Sequence, residues 1–157
     1  MNEHSDDVVP HAGGRRGGRE AALQMLYQWE VGRLTMPEVR RMFWDMSEQD
    51  APEASDRARS FATTLADGTV EHIGEIDPLI EESAENWRLA RMPVVDRQIL
   101  RLAVYEFLHQ AETPHPVIID EALELAKRFS TPEAVKFING VLDGVRKRLH
   151  PDTPTRV

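Results

Sequence analysis

The residues of this chain best suited to chemistry by type and spacing are three arginines and one phenylalanine. Residues 11–19, "HAGGRRGGR", hold Arg15, Arg16 and Arg19 and no acid. They stand just ahead of an apolar helical stripe. Guanidinium groups there can pair with phosphates or stack on splayed bases, and short arginine-rich segments often fold on RNA. The phenylalanine is Phe137, in "KFINGVLDGV", residues 136–145. Val135, Ile138, Val141, Leu142, Val145 and Leu149 keep one helical phase on both sides of Asn139-Gly140. A dipeptide that elsewhere marks a tight turn therefore lies inside a helix here. At roughly 100° per residue, Gly140 and Gly144 fall opposite that stripe, beside Lys136, Phe137 and Lys147. Two readings of this face stay open. Phe137 stacks on a base, or the face is a second packing surface. On the packing reading, Gly140 meets a neighbouring helix and Gly144 stays free.

Catalytic chemistry finds little support. The six histidines are scattered and none forms HExxH. Glu112 and His115 have carboxylate–histidine spacing but lie in a proline-bounded turn. Glu81, Glu82 and Glu85 fall on polar faces rather than projecting inward as a di-iron bundle requires. There is no GxSxG, and "GGRRGG" neither follows a strand nor carries GK[ST], so it is no phosphate loop. The chain has no cysteine, which excludes disulfides, thiolate zinc sites and a cysteine nucleophile. No enzyme, metal site or cofactor is expected.

Helices must position the arginines and Phe137. The first starts near Gly18 or Arg19, turns Ala22, Met25, Leu26 and Trp29 inward, and stops at Gly32. Thr35-Met36-Pro37-Glu38 is a capping box opening a second helix, with Val39, Met42, Phe43 and Met46 inward. "SEQDAPEAS" is a loop. A third helix runs from Asp56 to Ile73. Asp77-Pro78 caps a fourth, carrying Leu79, Ile80, Ala84 and Trp87. A fifth, 93–109, is apolar on most sides and belongs at the centre of the fold. A sixth, 116–129, presents Ile118, Ala122, Leu125, Ala126 and Phe129. The seventh, 132–149, has a hydroxyl cap in Ser130-Thr131, a proline in its first turn and Glu133 as capping-box acid. No segment alternates as a strand does. The class is all-α: seven helices in two packed lobes, about 15–75 and 76–150, between an unstructured stretch 1–14 and a flexible tail 151–157.

The 157 residues are 41% hydrophobic and 29% charged, which suits one globular domain. The net charge is −8, unevenly placed. Residues 42–87 hold twelve acids and two bases, whereas 88–150 hold ten bases and eight acids. An acidic protein still binds nucleic acid when its bases share a face; otherwise the acids solubilise the middle and the arginines belong to a tail. No apolar run has membrane-spanning length, and the polar N-terminus is no secretory signal, so a cytoplasmic protein is expected.

Three stretches carry a resemblance: "RRGGREAALQMLYQWE", "VVDRQILRLAVYEF" and "PVIIDEALELAKRFSTPEAVKFINGVLDGV". Across about 15–149 the chain resembles the NusB family of transcription antitermination factors. The resemblance implies an all-helical fold of two lobes and binding of boxA RNA in ribosomal RNA transcripts. It also implies pairing with NusE, a small-subunit ribosomal protein, and action on the RNA polymerase elongation complex with other Nus factors. By the same resemblance Arg15, Arg16 and Arg19 match the family's RNA-binding arginine segment, and Tyr27 its first-helix tyrosine. Lys136, Phe137 and Asn139 match its motif near the RNA face. Glu106 matches an acid associated with the NusE surface, and Glu133 an acidic position where changes affect antitermination. Gly17 and Gly18 depart from the pattern and imply a more flexible arm. Alternatives are a protein–protein adaptor with an incidental arm, and a stand-alone relative of the RNA-binding domain of rRNA cytosine methyltransferases. A homodimer that hides the RNA surface is a further alternative.

Overall fold

A computed structural model describes residues 14–50, 56–85 and 87–151, apart from the side chains of 45–50. Of the ends expected to be unstructured, only Gly14 and Pro151 fall among them. Every regular element described is helical: α1 (Arg15–Val31), α2 (Met36–Asp50), α3 (Asp56–Glu71), α4 (Ile73–Ser83), a 3-10 turn (Leu89–Arg91), α5 (Val94–His109), α6 (His115–Phe129) and α7 (Pro132–Leu149). The all-α expectation of seven helices holds. Among the described residues no helix is long and apolar enough to cross a membrane. The helices sort into two compact units, one ending at Glu71 and the other starting at His72.

In the first unit α1 lies along α3, with α2 against α1. Ala58, Ala62 and Ala66 of α3 face Gly18 and Ala22 of α1, and all are buried. Small side chains let the two helices approach, while Met25, Leu26 and Leu65 fill the flanks. This contact explains why α1 starts at Arg15, earlier than its apolar stripe indicates. A Cβ on Gly18 would lie 2.8 Å from Phe61 Cδ2 and 3.3 Å from the Ala58 carbonyl oxygen. The glycines are thus helical, and Gly18 is a packing point rather than part of a flexible arm. Tertiary contact outweighs the roughly 1 kcal/mol that a helical glycine costs. The α1 stop is at Gly32, where a Cβ would meet Gln28 O at 2.6 Å.

The capping box of α2 forms as expected. The Thr35 backbone N–H donates to Glu38 Oε1 at 2.8 Å, and the Glu38 N–H donates to Thr35 Oγ1 at 3.3 Å. Met42, expected inside, is 46% exposed. It lies roughly 90° off the Met36–Val39–Phe43 stripe. Met46 lies outside the described side chains. Arg40 ties α2 to α3 through Asp67 at 2.6 Å.

In the second unit α5 packs against α4, α6 and α7, and residues 96–107 are all buried. The helix is central, as its apolar circumference predicts, but it also buries Asp96, Arg97, Gln98, Arg101 and Glu106. Polar groups in such a place need partners. Arg97 Nη1 donates to the carbonyls of Leu89 and Met92, at 3.0 and 2.9 Å. Arg101 grips both carboxylate oxygens of Asp77, each at 2.9 Å. Ser130 Oγ donates to Asp96 Oδ1 at 2.6 Å.

These partners correct two helix starts. Asp77 is not a cap: its carboxylate belongs to Arg101, so α4 begins upstream at Ile73 and Pro78 lies within it. The proline leaves unbonded only the carbonyl of Gly74, an exposed residue that water can reach. Ser130 is committed to Asp96, so the cap of α7 is Thr131 Oγ1, which accepts from the Ala134 N–H at 3.1 Å. Glu133 takes no part in that cap. Two aromatics also differ from expectation. Trp87 lies beyond α4 and is 49% exposed. Phe129, the last residue of α6, has no following turn to cover it and is 37% exposed.

Candidate nucleic-acid interface

The arginine segment is the first turn of α1, built around the Phe61 ring of α3. The Arg15 guanidinium lies 4.4 Å from the ring centroid and that of Arg19 lies 5.4 Å from it. Arg15 is exposed, whereas Arg19 is only 4% exposed. Arg19 shares the buried stripe of Ala22 and Leu26, one and two turns on, so its side chain is held inside. Of the three arginines expected to contact RNA, Arg15 and Arg16 are exposed, while Arg19 is buried beside the Phe61 ring over which Arg15 also lies. Arg16 and Tyr27 lie roughly 20° apart around α1 and both are exposed, Tyr27 by 43%. The first unit thus presents two cations and a phenol from one helix.

In the second unit, α7 runs unbroken through Asn139-Gly140. Lys136 and Asn139 are exposed and Phe137 is half-buried. The Phe137 ring meets Trp87 edge to face, with centroids 6.1 Å apart and planes at 68°. Both rings line a groove of about 260 Å³ with Met92, Pro93, Thr131 and Glu133. Phe137 is therefore neither core nor free, because it forms one wall of an open aromatic groove. Among the described residues Lys136 has no carboxylate partner, whereas Lys147 bonds to Asp143 at 3.1 Å. Hydrogen bonds from Lys147 and then Arg146 hold the Asp143 carboxyl below its usual range. The glycine face reverses expectation. A Cβ on Gly140 would meet nothing within 4 Å, while one on Gly144 would lie 3.2 Å from Ser83 Cβ.

The two acids expected on a partner surface sit differently. Glu133 is exposed at the start of α7 and lines the aromatic groove. Glu106 is only 2% exposed within α5. Its carboxylate does not face solvent, because the ring of helices packed on α5 covers every residue around it. Each unit also brings in a residue that the sequence did not single out for binding, Phe61 in the first and Trp87 in the second. Phe61 is one of five phenylalanines with no local mark. Trp87 is misplaced once α4 is started at Asp77.

The NusB family model matches residues 16–147. The transcription antitermination protein NusB of Koribacter versatilis is 47% identical over 137 residues, covering 87% of this chain and 91% of the relative. That of Solibacter usitatus is 46% identical, covering 89% and 94%. Among solved structures, NusB of T. maritima aligns with a TM-score of 0.76 at 37% identity, covering 85% of this chain and 91% of that one. A complex of the antitermination factors NusB and NusE with dsRNA aligns with a TM-score of 0.75 at 28% identity, covering 90% and 99%. With one family model matching residues 16–147 and relatives 46–47% identical over most of their length, the chain belongs to the NusB family.

Proposed function

We propose that this chain is a non-enzymatic, cytoplasmic antitermination factor. It binds boxA RNA of ribosomal RNA transcripts together with NusE, and acts on the RNA polymerase elongation complex with other Nus factors. The observation that carries the reading is the aromatic groove of Trp87 and Phe137, at the start of the helix whose exposed Lys136 has no carboxylate partner among the described residues. Single-stranded RNA is read by stacking unstacked bases on aromatic rings and bonding their edges. An open edge-to-face pair with Thr131 and Glu133 in the same groove supplies both. Arg15 and Arg16 add phosphate contacts, and Tyr27 adds a second stacking surface. Glu133 lines the groove as an acceptor, which suits a base amino group better than a phosphate. Membership of the NusB family supports NusE as partner, as does the likeness to a NusB bound to NusE and RNA.

The test is binding to a boxA-type RNA and to a scrambled RNA, with and without NusE, at two salt concentrations. Tighter binding of boxA, strengthened by NusE, supports the reading. Equal binding of both RNAs with normal NusE binding leaves a protein adaptor instead. Phe137→Ala and Trp87→Ala should each weaken boxA binding by about 1–3 kcal/mol without changing the salt slope.

A further inference from the structure

The start of α4 and the end of α5 bring together three side chains with metal-ligand chemistry. His72 is the N-cap residue of α4, Glu75 lies in its first turn, and His109 is the last residue of α5. Their ligand atoms all lie within 4.8 Å of one another. His109 Nε2 and Glu75 Oε1 are 3.4 Å apart, and the two imidazole centroids are 4.1 Å apart. Tyr105, one turn before His109 and only 7% exposed, packs against both imidazoles. We propose that His72, Glu75 and His109 bind a borderline divalent transition-metal ion, zinc above all.

The geometry suits such an ion. Zinc bonds of about 2.0–2.1 Å in a tetrahedron set neighbouring ligand atoms about 3.3–3.4 Å apart. The Glu75–His109 separation already equals one such edge. The ligand atoms are already within 4.8 Å of one another, on backbone held by the packing of α4 on α5, so closing the set requires side-chain rotation alone. Two neutral imidazoles and one carboxylate suit zinc, and also copper and nickel, rather than calcium or magnesium. Glu75 and His109 are exposed, so the fourth position is open to water. The C-terminal end of α5 favours a cation there, and the Glu75 charge offsets the opposing dipole at the start of α4. A bound ion would pin these two helix ends together.

The experiment titrates Zn²⁺ into the full-length, tag-free protein and follows heat and melting temperature, with Co²⁺ as a spectroscopic substitute. One equivalent is expected to bind, with a rise in melting temperature and the intense visible bands of four-coordinate cobalt. Glu75→Gln, which keeps a hydrogen-bonding side chain, and His109→Ala should each weaken binding at least roughly tenfold, with helical content unchanged. The double variant His115→Ala/His150→Ala removes the other close imidazole pair, at 4.6 Å, and should bind as before. The proposal falls if no stoichiometric zinc binds, if Glu75→Gln and His109→Ala both bind normally, or if the double variant abolishes binding.

Discussion

Arg15 and Arg19 are one turn apart on the same helix and touch the same ring, yet replacing them should have opposite effects. Arg15→Ala and Arg16→Ala should weaken RNA binding and flatten its salt slope by about one unit per lost contact, with the melting temperature held. Arg19→Ala should instead lower stability by about 1–2 kcal/mol, since a buried cation–π contact and its packing are lost. A salt series and a melt on each variant separate the two roles. An Arg19→Ala protein that melts normally but loses RNA would overturn that structural role. Glu106→Lys, which reverses a buried charge, should destabilise the second unit by several kcal/mol, and that loss should appear in denaturant titration before any NusE is added. His115 gives a pH signature. Burial first, then His150 and Arg146 nearby, lower its pKa from the ordinary 6.5. The native state therefore prefers the neutral ring, and its stability contribution is complete above the unfolded value. That contribution is lost as pH falls below about 6.5. The melting temperature should drop between pH 7 and 5.5, and His115→Asn should shrink the drop.

The glycines of α7 and α1 carry the test at the scale of elements. Gly140→Ala should raise stability by about 1 kcal/mol, because its methyl group enters open space. Gly144→Ala should melt below Gly140→Ala, since the same propensity gain is opposed by Ser83. Gly18→Ala should cost about 1–3 kcal/mol through its clash with Phe61 and Ala58. These outcomes mark what was legible in the chain alone. Phase through Asn139-Gly140 is local information, and α7 spans the residues its periodicity predicts. The Thr35–Glu38 box is equally local, because both partners lie within one turn. Boundaries failed where a distant side chain decided them. Asp77 reads as a cap until Arg101, 24 residues on, takes its carboxylate. Gly17-Gly18 reads as part of a flexible arm until Phe61 fills the space beside Gly18. The candidate site divided in the same way. Phe137 and Lys136 are marked by their place on a wheel, whereas Trp87 joins Phe137 only through the fold. His72-x-x-Glu75 is a one-turn spacing, but its third member lies 34 residues from Glu75.

At the scale of the whole molecule, the net charge of −8 sets a long-range field that repels RNA, so Arg15, Arg16 and Lys136 must act at short range. Association with RNA should therefore be slower at very low salt than those cations alone predict, and stopped-flow rates across a salt series would show a shallower slope than equilibrium affinity does. Both compact units are also contiguous in sequence, and contiguity has a meaning in time. A nascent chain emerges N-terminus first, at about 5–20 residues per second. Arg15, Gly18 and Phe61 all lie in the part made before α4, so the arginine-bearing surface can assemble early. Helix α5 has no such advantage. Arg101 finds Asp77 already made, but Asp96 must wait for Ser130, and the apolar face that α7 covers stays bare until α7 itself is made. At those rates the wait from the end of α5 to the end of α7 is roughly 2–8 seconds. During synthesis a helix buried along most of its length in the folded unit thus waits with an apolar face uncovered, and a chaperone would have that face to hold.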